Sequence, residues 1–256
     1  DWLPKNEQTI KKIVFEKTST LLNSNIIVAK QSSDETMNCI KKTISQNQSN
    51  KIFFNKDFSY SVAENNFFYY EDKLGELKLQ MPNIKGQFQL ENISTAIATL
   101  RILDLGIKEE HIQKGVTKIS DLARLQEIKS GKLKELVKKN KLIVDGSHNE
   151  DGARVLNEYL QSLDCNKHVI VGMMSNKRHE KFISYFKNIT SLTTVDIPNQ
   201  PNSISGKDLV KKFNNLPNVK CQPNIFEAIK SINLKEGDIL LITGSLYLAG
   251  EVLNLN

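Results

Sequence analysis

Residues 141–151 read Lys141-Leu142-Ile143-Val144-Asp145-Gly146-Ser147-His148-Asn149-Glu150-Asp151. An apolar run ends at Asp145, Gly146 permits a tight turn, and polar residues follow. Glu150 and Asp151 suit the positive end of a helix dipole, so a helix is predicted to begin near Asp151. Leu156, Tyr159, Leu160 and Leu163 then fall at i, i+3, i+4 and i+7, one face of that helix.

The same alternation continues downstream. Apolar runs at 168–173, 192–197, 219–221 and 238–243 read as strands, with helices starting near Arg178, Gly206, Ile225 and Leu246. Continuously apolar strands alternating with amphipathic helices imply a mostly parallel sheet covered on both faces, an α/β fold. Upstream the texture differs. Residues 26–30 read as a short buried strand and 34–44 as a helix. Residues 51–80 break into short β-like runs, KIFF, FFYYED and ELKLQM. A helix is expected from Asn92 to Leu105, with Asn92 as its N-cap and Gly106 after its end, and a short one over 108–118. The change of pattern puts a domain boundary near 118–123.

Composition narrows the function classes. The chain has 256 residues and a net charge of +6, with 35 basic residues. Only Arg101, Arg124, Arg154 and Arg178 are arginines, and nothing interleaves them with aromatics as a base-stacking surface requires, so no nucleic-acid partner is expected. Mild positive charge suits small anionic substrates. No apolar run approaches the ~20 residues of a membrane span. Cys39, Cys165 and Cys221 are too sparse for zinc or a disulfide framework and suggest the cytoplasm. No G-x-G-x-x-G follows a strand, which disfavours a dinucleotide-binding protein.

In an open parallel sheet, ligands gather beyond the carboxyl ends of the strands. Two segments lie there: Asp145 to Asn149, and Thr243-Gly244-Ser245-Leu246-Tyr247, where Ser245 can cap a helix whose N-terminus attracts anions. The plain reading of each is a capped helix start.

Five ordered segments resemble the folylpolyglutamate and dihydrofolate synthases, enzymes of the Mur ligase superfamily. DGSHNEDG (145–152) is similar to that family's DGAHNP, and TGSLYLAGEV (243–252) to its closing GSLY. Gly86-Gln87-Phe88-Gln89-Leu90-Glu91-Asn92 looks like its G-x-H-Q-x-x-N, Ala123-Arg124-Leu125-Gln126 like its G-R-L-E linker, and Ile13-Val14-Phe15-Glu16-Lys17 like its I-A-x-E-K.

The resemblance implies the remainder of a Mur-ligase-like central ATPase domain over 1–120, then a Rossmann-like glutamate-ligase domain over 121–256. It implies that ATP phosphorylates a folate carboxylate and that the amine of L-glutamate attacks the acyl phosphate, with Mg²⁺ assisting. Asn92, Arg124 and Asp145 match nucleotide-binding positions. His148 and Ser245 match the place of the incoming glutamate, and Lys17 a carbamylated lysine that helps hold the metal.

The sequence departs from the family at several points. It contains no G-x-x-x-x-G-K-[ST] phosphate loop, so a separate N-terminal half bearing that loop is an expected partner. Trp2 stands where the family has a metal-binding histidine, and an indole is no magnesium ligand. Phe88 replaces the histidine of G-x-H-Q, Thr18-Ser19-Thr20 stands for A-G-I, and Ser175-Asn176-Lys177 stands where Asp-Lys is usual. Two readings follow: a ligase, as part of a longer or split enzyme, or a degenerate remnant that keeps a nucleotide or glutamate pocket without turnover.

Overall fold

A computed structural model describes residues 9–21, 24–84, 87–103, 105–119, 122–213, 216 and 218–256. The chain divides into two compact units, Asp1–Asn83 with Gln87–Ser120, and Ile84–Gly86 with Asp121–Asn256.

The first unit holds α1 (Ile10–Thr18), β1 (Ile26–Val28), α2 (Asp34–Ile44), β2 (Lys51–Phe53), β3 (Phe58–Val62), β4 (Phe67–Asp72), β5 (Gly75–Gln80), α3 (Gln87–Ile102) and α4 (Glu109–Thr117). β1 and β2 form a parallel pair, while β3, β4 and β5 form an antiparallel meander in that order. The alternation of β4 and β5 buries Phe68, Tyr70, Leu77 and Leu79 on one face. A charged pair ties α3 to this sheet. The Arg101 guanidinium lies 2.9 and 3.0 Å from the two Asp72 oxygens, and the Tyr70 hydroxyl donates to Asp72 Oδ2 at 2.9 Å. β3 was not read from the sequence, because FSYSV mixes polar and apolar residues on a half-exposed strand.

The second unit is the α/β domain that the alternating pattern predicts. It runs β6 (Gln126–Ile128), α5 (Lys132–Val137), β7 (Lys141–Val144), α6 (Glu150–Gln161), β8 (Lys167–Val171), α7 (His179–Ser184), β9 (Ser191–Thr194), α8 (Gly206–Lys212), β10 (Val219–Cys221), α9 (Ile225–Ser231), β11 (Ile239–Thr243) and α10 (Leu246–Leu255). The sheet order is β10-β9-β8-β11-β7-β6, parallel throughout except for β6, which pairs antiparallel with β7 at one edge. β6 and α5 are additions to the five strands and five helices read from the sequence. The apolar run 192–197 also leaves the sheet after Thr194, although Val195 and Ile197 stay buried. Burial continues past the ladder there, so hydrophobicity does not mark the strand's end.

The pleat sorts each strand's side chains into two cores. Leu142, Val144, Ile170, Leu240 and Ile242 face one way, against Leu133 and Val137 of α5, Ile225 and Ile229 of α9, and Leu248 and Val252 of α10. Ile143, Val169, Val171, Ile239 and Leu241 face the other way, against Leu156 and Leu160 of α6, Phe182 of α7 and Leu209 of α8. β8 and β11 are buried along their whole length, as sheet strands covered on both faces must be.

Burying the lower end of this sheet requires polar groups to be matched. Asp238 is 3 % exposed, and it accepts from the Lys235 N–H at 2.7 Å and from Asn166 Nδ2 at 2.9 Å. His168 bridges it to Ser191, with Nε2 3.2 Å from Asp238 Oδ2 and Nδ1 2.7 Å from Ser191 Oγ. Asp238→Ala would strand these donors in a dry site. It should cost about 3 kcal/mol, read as a lower midpoint in urea unfolding. A midpoint equal to wild type would show that water replaces the carboxylate freely.

Candidate functional site

Register fixes what stands at the top of the sheet. Ile242 is level with Val144 on one side and Ile170 on the other, so Gly146, Gly244 and Gly172 come level two residues beyond. A side chain would not fit at one of them without strain, and at another it would displace a neighbour. Gly244 has φ +106°, and a Cβ there would meet the Gly172 carbonyl at 2.6 Å. A Cβ on Gly146 would meet Leu246 Cδ2 at 2.3 Å. The loops are stitched by backbone bonds, from Gly244 N–H to the Ser147 carbonyl at 3.0 Å and from Gly172 N–H to the Thr243 carbonyl at 3.3 Å. The two sequence segments therefore converge, joined by the loop after β8.

The helices after these strands leave in different directions. α6 and α7 pack on one face, and α10 on the other. β11 thus lies at a point where neighbouring connections diverge, the arrangement that opens a crevice at strand ends.

Asp145 is 2 % exposed. Its Oδ2 accepts from the Leu125 N–H and its Oδ1 from the Ser147 N–H, both at 2.8 Å. The Gly146 N–H donates to the Ala123 carbonyl at 2.8 Å, so Arg124 sits between two residues tied to the end of β7. Ala123 and Leu125 both have positive φ, 58° and 48°. Left-handed backbone at two non-glycine residues costs roughly 2–4 kcal/mol. Two hydrogen bonds to a buried carboxylate, at roughly 1.5–3 kcal/mol each, are large enough to offset it. Arg124 itself is half-buried.

His148 Nδ1 lies 3.0 Å from the Gly146 carbonyl. A carbonyl only accepts, so the neutral ring carries its proton on Nδ1 and presents the lone pair on Nε2. Burial first, then the charges of Lys177 and Arg124, push the imidazole below its ordinary pKa, against the opposing effect of the Gly146 carbonyl. Lys177 follows β8 in a turn held by its own N–H to the Met174 carbonyl at 3.3 Å and by Ser175 N–H to the Asn202 carbonyl at 2.9 Å. Burial lowers its ammonium pKa as well. The sequence places Lys177 only within a departure from the family motif, without a role, and the structure brings its charge to bear on His148. The signal for Lys177 was its place just after the strand at 168–173.

Ser245 is 2 % exposed and caps α10, its Oγ accepting from the Tyr247 N–H at 3.1 Å. Leu246 and Tyr247 stay exposed beside it. Asn92 departs from expectation. α3 begins at Gln87, so Asn92 lies inside the helix and caps nothing; Gln87–Glu91 already form its first turn. Its side chain is exposed and donates to Gln89 Oε1 at 3.3 Å. Lys17 is exposed in the last turn of α1. Trp2 and Gly86 lie outside the described residues.

Among the described residues no three His, Cys, Asp or Glu side chains gather as a metal site, and Lys17 stands on a solvated helix end, so that donor set does not fit Mg²⁺.

The second unit has the fold of the Mur ligase C-terminal domain: residues 132–246 match the family model described as Mur ligase, glutamate ligase domain. Similar solved structures include folylpolyglutamate and dihydrofolate synthases, the family that the sequence motifs resemble. E. coli FolC in complex with DHPP and ADP superposes with TM-score 0.82 at 19 % identity, over 98 % of this chain and 58 % of that one. Mycobacterium tuberculosis folylpolyglutamate synthase complexed with ADP gives 0.82 at 15 %, over 100 % and 60 %. The bifunctional Yersinia pestis enzyme complexed with AMPPNP and Mn ion gives 0.77 at 18 %, over 99 % and 58 %. At such identities the likeness establishes the fold, and the chain spans well under two thirds of these proteins' length. No curated protein sequence matches the chain.

The histidine provides a direct check of this site. Its lowered pKa means that the folded protein favours the neutral ring. That contribution to stability is present at neutral pH and declines as pH falls from the ordinary histidine range through the folded value. An NMR titration should give a His148 midpoint below that of a histidine in an unstructured peptide, and Lys177→Gln should move it up. A midpoint unmoved by Lys177→Gln would separate the two side chains.

Proposed function

We propose that this chain is the C-terminal part of a cytoplasmic, ATP-dependent carboxylate–amine ligase that adds L-glutamate to folate. The observation that supports this reading is the stitched end of β7, β11 and β8. There a neutral imidazole, a lysine, an arginine and a capped helix N-terminus meet above backbone bared by three glycines.

Each group has a role in that chemistry. ATP supplies the phosphoryl group that activates the folate carboxylate. The incoming amine attacks the acyl carbon, a C–N bond forms, the C–O bond to phosphate breaks, and phosphate leaves. Glutamate enters as an ammonium and must lose a proton before attack; Nε2 of His148 is the acceptor. Lys177 and Arg124 provide positive charge for the carboxylates of glutamate and the departing phosphate. Ser245 fixes the start of α10, whose N-terminus favours the α-carboxylate. Asn92, on the first unit, is assigned to the adenosine end.

A second reading, a nucleotide- or glutamate-binding remnant without turnover, is favoured by the solvated Lys17. Titration and turnover distinguish the two. The chain alone should bind ADP with a Kd on the order of 1 mM, weakened about tenfold in Arg124→Ala. Mixed with a family half that carries the phosphate loop, it should incorporate labelled glutamate into folate, and His148→Ala should lower kcat by about 100-fold or more. ADP binding without incorporation under any pairing favours the remnant. Absence of both ends the ligase reading.

A further inference from the structure

We infer that His179 is a positioning residue: its buried ring pins the turn that carries Lys177 to the backbone leaving β8. The inference deepens the ligase reading above and rests on it for what Lys177 does, while the pin itself stands on geometry.

The turn spans 174–178, and His179 opens α7 directly after it. At its start the Met174 carbonyl accepts twice. One donor is the Lys177 N–H at 3.3 Å, the turn's own bond. The other is His179 Nε2 at 2.9 Å. A carbonyl cannot donate, so the ring carries a proton on Nε2. His179 is 5 % exposed, whereas Ser175, Asn176 and Arg178 are exposed. The histidine therefore ties the end of the turn to its beginning from the inside, with the half-buried Lys177 between the two tied ends. α7 is itself seated, because Phe182 and Ile183 are buried in the core. The pin thus refers the Lys177 turn to the packed body of its unit.

Other bonds act on the same turn. On its leading limb the Ser175 N–H donates to the Asn202 carbonyl at 2.9 Å, and the Ile204 N–H to the Met173 carbonyl at 3.0 Å. These fix 173–175 against the segment before α8. On its trailing limb Arg178 Nη1 lies 3.2 Å from Glu150 Oε1 in an exposed ion pair. A pair of that kind, screened by water and salt, restrains the backbone weakly. A buried donor restrains it more, because opening its bond strands an N–H away from water. Lys177 acts on the His148 ring through its charge. A change at His179 should then reach His148 by way of Lys177.

The test uses the full chain with His179→Leu, which removes the donor, His179→Gln, whose amide N–H can reach the same carbonyl, and Lys177→Gln. In an NMR titration the His148 midpoint should rise in His179→Leu toward its value in Lys177→Gln, and His179→Gln should hold it near wild type. On the Lys177→Gln background, His179→Leu should add no further shift. Hydrogen exchange of the Lys177 amide should quicken by about tenfold or more in His179→Leu, with wild-type protection kept in β8 and β11. A His148 midpoint unmoved by His179→Leu overturns the inference. So does an equal shift on the Lys177→Gln background, which would mean a path that bypasses the lysine. Where His179→Leu fails to fold, the shorter His179→Asn takes its place, and loss of folding in both makes His179 a general core residue and overturns the pin as well. None of these readings needs a nucleotide, folate or glutamate. A chain that ligates nothing under any pairing therefore sinks the function proposed above, while titration and exchange still decide the pin.

Discussion

β11, the last strand of the chain, must enter the middle of the sheet. It hydrogen-bonds β7 on one edge and β8 on the other, so those two strands share no ladder with each other. The sheet is therefore completed only by residues 239–243, and every one of them is buried. Pairing across such sequence distances is entropically expensive to nucleate, which makes completion of the sheet a late and cooperative event. The functional surface depends on the same insertion. Ser245 and the N-terminus of α10 reach the His148 loop only because β11 lies beside β7, and Gly244 reaches Gly172 only because β8 flanks it on the other side.

Close approach of three strand ends explains the glycines better than turn propensity does. Gly146 and Gly172 have backbone that other residues can adopt; a side chain at Gly146 would push Leu246 aside, and one at Gly172 would crowd the Val195 carbonyl at 3.0 Å. Gly244 is constrained by both its φ and its neighbours. The resulting floor is backbone, and the chemistry rises around it from longer side chains. Their charges are uneven. Lys177 and Arg124 are cations, the Asp145 carboxylate accepts from two backbone amides, Glu150 pairs with Arg178, and the environment of His148 favours its neutral ring. A surface of that balance attracts anions and still offers a lone pair to an ammonium.

Much of this was legible in the sequence. Strands buried on both faces announce themselves as unbroken apolar runs, and 141–145, 168–173 and 238–243 were placed to within two residues. Elements whose own residues carry no pattern and that form only against a partner were not. β6 is three residues of mixed polarity that become a strand only by pairing with β7. α5 starts after Gly131, which has no side chain to cap it; Asn256 does so instead, accepting from the Leu133 N–H at 3.2 Å across more than a hundred positions. Asn92 was misplaced because a cap-forming residue before an apolar stretch looks the same whether the helix starts there or five residues earlier. Lys177 carries no role in the sequence beyond its place in a family segment, and only the fold brings its charge to bear on a histidine.

The Arg124 segment resembles the family's linker motif, and in the structure it belongs to the second unit. Ala123 and Leu125 are as buried as the core, and two bonds from the end of β7 hold them. The arginine is thus part of the sheet's upper rim, fixed in the same frame as His148 and Ser245. A guanidinium, an imidazole and a helix N-terminus held at one end of one sheet keep their mutual geometry, and preorganisation of that kind is what charge stabilisation in a reaction requires.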